Sequence, residues 1–200
     1  MNNTPHTNCL TLRLLHAAKG YKAVAFDIFD TLLKRDCARP ADLFALMEVT
    51  HQAALGFAEA RVAAEAETRQ TLGREVTLAE IYAHPALRGT DPAAECAAEL
   101  AMIAPNRPVA QAAAACHARG QKVYAVSDMY LPKEQIEAML QKCGLDFLDG
   151  VFVSCEYRVQ KRSGKLFKLF LQQTALRPAE VLFVGDSPRA DFAGAALAGI

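Results

Sequence analysis

Five side chains in this sequence could together handle a phosphoryl group: Asp27, Ser127, Lys161, Asp186 and Asp191. They stand at the ends of apolar runs, or in the loops that follow, within FDIFDTLL, VSDMY, QKRSGKLF and VGDSPRAD. A phosphoryl group in transfer spreads negative charge over its oxygens, so its site must be cationic and rich in donors. A carboxylate can approach phosphorus only where its own charge is offset. Mg²⁺ held by further carboxylates does this, with help from a lysine. A serine hydroxyl and backbone N–H groups at a helix start hold the remaining oxygens. Taken singly, each residue has an ordinary reading: an aspartate caps a helix, a serine turns a chain, and Lys161, Arg162 and Lys165 form a solvated loop. Only their joint placement argues for chemistry.

That placement depends on strands. The apolar run 23–26 ends in Asp27 and turns at once through Asp30 and Thr31, which predicts a buried parallel strand. Further strands are predicted over 122–126, 151–153 and 181–184, alternating with helices over 132–143, 165–174 and 189–198. Such alternation gives a parallel α/β sheet with right-handed crossovers. Ligands of open sheets bind beyond the carboxyl ends of the strands, where all five residues fall. Between the first two strands the sequence is rich in Ala, Glu and Leu and predicts helices over 40–52, 56–72, 77–83, 92–104 and 109–119. Thr77 and Glu80 have capping-box spacing, and Asp91 is placed to cap the fourth helix.

This block is too long for one crossover and predicts an inserted all-helical cap. The expected fold class is α/β, a Rossmann-like parallel sheet core with helices on both faces plus that cap. The expected organisation is a lead-in over 1–20, a core over 21–35 and 120–200, and the cap over 36–119. The lead-in contains a helix over 10–18. A further strand would be natural after Ile200.

Composition narrows the function. The 200 residues are 52% hydrophobic and carry 22 basic and 22 acidic side chains, so nothing favours nonspecific binding to nucleic acid or anionic membrane. No apolar run approaches the roughly 18 residues of a membrane span. The polar stretch from Met1 to Cys9 lacks the pattern of a signal peptide. Six cysteines without a CxxC pair read as free thiols in a reducing compartment, so a cytoplasmic location is expected. The five histidines show no metal-ligand spacing.

In order, FDIFDT, VSDMY, KRSGKLF and GDSPRAD resemble the four motifs of the haloacid-dehalogenase-like (HAD) hydrolase superfamily. The resemblance covers 23–200, with the helical block matching that superfamily's cap. More narrowly, FDIFDTLL and SDMYL resemble a branch encoded with, or fused to, glycosyltransferases of surface-polysaccharide synthesis. What the resemblance implies is a Mg²⁺-dependent phosphatase acting on a small phosphorylated metabolite such as a sugar or alditol phosphate. Asp27 would form an aspartyl-phosphate, and Ser127 would bind the phosphoryl group, with Asp128 and Thr31 at the substrate. Lys161 would balance charge, preferred over Lys165 for its spacing to Phe167. Asp27, Asp186, Asp191 and the main-chain carbonyl of Phe29 would hold Mg²⁺.

One position departs from the family's pattern. Phe29 stands where such phosphatases carry a general acid and base, a loss worth roughly 10²–10⁴-fold. Asp30 follows, where the family has glycine; in a strand it would face the other way, and only a turn would let it substitute for the missing acid. Two alternatives follow: a catalytically silent binding or regulatory domain, and a 2-haloacid dehalogenase, which also carries an aromatic here. The paired acids Asp186 and Asp191 oppose the latter, since displacing halide needs no metal. Arg61 and Arg69 either pair along an exposed helix face or reach the cleft to select an anionic substrate.

Overall fold

The computed structural model describes residues 8–200; expectations for residues 1–7 lie outside it. Asn8 accepts the N–H of Leu10 and so starts α1 (Cys9–Ala17). The chain then runs through β1 (Ala23–Phe26), β2 (Leu33–Arg35), α2 (Asp42–Val49), α3 (Phe57–Leu72), α4 (Leu78–Tyr82), α5 (Pro92–Met102) and β3 (Ile103–Pro105). There follow α6 (Arg107–Ala118), β4 (Lys122–Ser127), α7 (Lys133–Lys142), β5 (Gly150–Val153) and α8 (Ser154–Tyr157). The last elements are α9 (Lys165–Thr174), β6 (Val181–Val184), a π-helical turn (Pro188–Ala193) and α10 (Gly194–Ala198).

The main sheet has the order β5-β4-β1-β6, and every pairing in it is parallel. Alternating side chains feed two cores, as the strand period of two requires. Val24, Phe26, Val123, Ala125, Val151 and Val153 face α1, α6 and α7. Ala23, Ala25, Val126, Phe152 and Val181 face Phe167 and Phe170 of α9 and Ala195 of α10. Helices therefore cover both faces, and β1 lies inside the sheet with all four residues buried.

The helical insertion leaves and rejoins the core through a pair of short antiparallel strands. β2 pairs with β3, Leu33 opposite Pro105 and Arg35 opposite Ile103. Thr77 and Glu80 form the expected capping box on α4, and Asp91 accepts the N–H of Ala93 to start α5. Residues 107–118, counted above with the helical block, form α6 and lie against α1 and β4. Val109, Ala112, Ala113 and Cys116 make the stripe that α6 buries. Its Ala-rich sequence looked like the helices before it, and only the packing separates them. Among the described residues, no helix is long and apolar enough to cross a membrane, and all six cysteines are free.

Candidate active site

β1 carries Asp27 out of the middle of the sheet, and β4, the neighbouring strand, ends in Ser127. β6 on the other side leads into Gly185 and Asp186. Asp27, Ser127, Asp128, Lys161 and Asp186 line one cleft of about 310 Å³, together with Phe29, Asp30, Arg35 and Tyr130. Asp191 is buried outside that lining and is bonded to Lys161.

Lys161 ties the cluster together. Its Nζ donates to Oδ1 of Asp27 and to Oδ1 of Asp191, each at 2.6 Å, and all three residues are buried. The second oxygen of Asp191 accepts the N–H groups of Asp186 at 3.0 Å and Ser187 at 2.8 Å. Both carboxylate oxygens of Asp191 are thus engaged, and it fixes Lys161 and the turn bearing Asp186. Two glycines permit this closeness. A Cβ at Gly185 would stand 2.3 Å from Oδ2 of Asp191, and one at Gly194 would stand 2.2 Å from the Lys161 carbonyl. Lys165 is exposed at the start of α9, outside the cleft.

Three of the expected substrate contacts divide. The Ser127 hydroxyl makes no hydrogen bond among the described residues, and no buried side-chain polar atom lacks a partner. It therefore opens into the cleft. Asp128 also lines the cleft, but its Oδ1 accepts the backbone N–H of Lys161 at 2.8 Å, which holds the lysine loop. Burial pushes the Asp128 carboxyl up to about 6. Thr31 is buried behind the site and donates its hydroxyl to Oδ1 of Asp186 at 3.1 Å. It orients Asp186 and does not face the cleft.

Burial raises the Asp27 carboxyl above its ordinary range by more than Lys161 draws it down. Burial also disfavours the Lys161 ammonium, but Asp27 and Asp191 outweigh this and hold it above the ordinary lysine value. Asp27, Asp186 and Asp191 each offer an oxygen within 4.8 Å of the others. Three carboxylates against one ammonium leave two negative charges uncompensated. Hard oxygen donors with that surplus fit Mg²⁺.

Two expectations change. Asp30 does not continue a strand: it adopts a left-handed turn at φ 60° and lines the cleft. Aspartate tolerates this conformation better than most residues. Neither Arg61 nor Arg69 reaches the cleft. Arg61 is fully buried, bonded to both oxygens of Glu95 and lying over the rings of Phe44 and Tyr130 at 4.8 and 4.7 Å. Arg69 pairs with Glu65 and Glu75. The arginine that does line the cleft is Arg35, for which the sequence carries no signal.

The family of haloacid dehalogenase-like hydrolases matches residues 21–199. An L-2-haloacid dehalogenase from Xanthobacter autotrophicus has a similar structure, with a TM-score of 0.60 at 23% identity over 88% of this chain and 74% of that one. An HAD phosphatase from Thermococcus onnurineus gives a TM-score of 0.62 at 21% identity over 90% of this chain and 83% of that one. Likeness at these identities concerns the fold. No curated protein matches.

Proposed function

We propose a phosphoryl-transfer function from one premise: the chain belongs to the haloacid dehalogenase-like hydrolase family. In this reading the protein is a Mg²⁺-dependent phosphatase that acts through Asp27 on a small phosphorylated metabolite. The observation that carries it is Lys161, which bridges Asp27 and Asp191 beside a cleft that Ser127 and Asp186 also line. Asp27, Asp186 and the Phe29 carbonyl would hold Mg²⁺, with Asp191 behind them, and the ion would offset the charges of nucleophile and phosphate.

An oxygen of Asp27 attacks phosphorus and forms an aspartyl-phosphate as the leaving oxygen departs; water then releases phosphate. Lys161 aims the Asp27 carboxylate and opposes the protonation that burial favours. Ser127 donates to a phosphoryl oxygen. Thr31 and Asp191 hold the Asp186 turn. Asp128 holds the Lys161 loop. The residues between β2 and β3 act as a cap over the cleft. A sugar or alditol phosphate as substrate and partnership with a glycosyltransferase rest on the FDIFDTLL and SDMYL motifs, and a cytoplasmic location rests on the six cysteines without a CxxC pair.

Phe29 favours a second reading, since it removes the usual acid: a silent domain that binds a phosphorylated ligand, or a dehalogenase. The three-carboxylate cluster supports phosphate chemistry over halide displacement. A panel of phosphorylated metabolites and 2-haloacids separates the readings. The expected result is phosphate release that stops when EDTA removes the metal. Chloride release indifferent to EDTA would support the dehalogenase, and binding without turnover would support the silent domain.

A further inference from the structure

Phe29 stands where the family's phosphatases carry the acid that assists the leaving group, and a cation lies on its ring. The Arg35 guanidinium stands 4.0 Å over the Phe29 ring centroid. Its Nε and Nη2 donate to the two oxygens of Glu99, at 2.9 and 3.1 Å, across the junction of β2 and α5. Both side chains are nearly buried, 8% and 2% exposed. A bidentate pair stacked on an aromatic face fixes an arginine in one orientation.

The third nitrogen is left over. Among the described residues Nη1 makes no hydrogen bond, yet no buried side-chain polar atom is without a partner. Nη1 is therefore not enclosed, and Arg35 is among the residues that line the Asp27 cleft.

Resting on the phosphatase reading, we propose that Arg35 is a catalytic residue that stabilises the leaving group: its Nη1 hydrogen-bonds the departing oxygen. As an Asp27 oxygen bonds to phosphorus, the bond from phosphorus to the leaving oxygen breaks, and its electron pair stays on that oxygen. Arg35 meets the growing charge with N–H donors. A guanidinium does not give up its proton, so the proton that neutralises the departing alkoxide comes from water. The site thus replaces proton donation with fixed positive charge, which acts most strongly where charge develops in a water-poor cleft.

The test is a series of aryl phosphates from p-nitrophenyl phosphate, a good leaving group, to phenyl phosphate, a poor one. Arg35→Ala would strand Glu99 in the interior, so the informative variant is Arg35→Gln with Glu99→Gln, a neutral hydrogen-bonded pair, compared with Glu99→Gln alone. The double variant is expected to lose about tenfold more kcat/KM on phenyl phosphate than on p-nitrophenyl phosphate, while Glu99→Gln keeps the wild-type dependence on leaving group. An equal loss across the series would overturn the proposal, because an arginine that only joins β2 to α5 affects all substrates alike. Failure of the wild type to release phosphate from any of them would instead overturn the phosphatase reading, and this role with it.

Discussion

Asp128 supports the lysine loop with a carboxylate that burial makes reluctant to ionise. Its folded value near 6 lies above the ordinary 3.8. The stability it contributes is therefore complete at low pH and is lost as pH rises through about 6. Asp128→Asn keeps an acceptor for the Lys161 N–H and removes the titration. Between about pH 5 and about pH 8, in EDTA, the wild type is expected to lose about 1–2 kcal/mol more stability than this variant. Equal pH dependence in denaturant melts would show that Asp128 is not buried as described. At this scale the sequence was informative about residues that end strands. Asp27, Ser127 and Asp186 were legible because apolar runs point at them. Lys161 and Asp191 were legible from motif order, but not the reach of one lysine across two carboxylates. Arg35 gave no signal, because Glu99, which makes it meaningful, lies 64 residues away.

Among the elements, α3 departs most from its sequence reading. Its alternation of acids and arginines reads as a solvated face, and Glu65 does pair with Arg61 and Arg69 at i,i+4 spacing. Yet Arg61 points inward, where Glu95 of α5 and the hydroxyl of Tyr82 complete a buried network. Glu95 supplies the missing signal, and sequence spacing alone could not link it to Arg61. Arg61→Ala is expected to cost about 3–5 kcal/mol in chemical denaturation, because Glu95 would remain buried without its cation. Replacing both partners with apolar residues, Arg61→Met with Glu95→Leu, is expected to recover most of that loss. No recovery in the double variant would mean that the pair itself, and not the stranded charge, sets the stability. By contrast, the Thr77 capping box and the Asp91 cap were readable, because capping is local and its partners lie two or three residues away.

At the scale of the molecule, the fold was legible because strand and helix alternate with clear periods, and right-handed crossovers leave few ways to assemble them. The function of α6 was less legible: an Ala-rich helix carries no mark of whether it joins the insertion or the sheet. The whole arrangement delivers four loops to the carboxyl ends of β1, β4, β5 and β6, and a surplus of negative charge collects where they meet. Phosphate release from p-nitrophenyl phosphate by wild type and Asp27→Asn, with and without Mg²⁺, addresses that arrangement most directly. Wild type should turn over only with Mg²⁺, and Asp27→Asn should lose at least about a thousandfold while still folding. Comparable Mg²⁺-dependent turnover in Asp27→Asn would contradict the assignment of Asp27 as the attacking group.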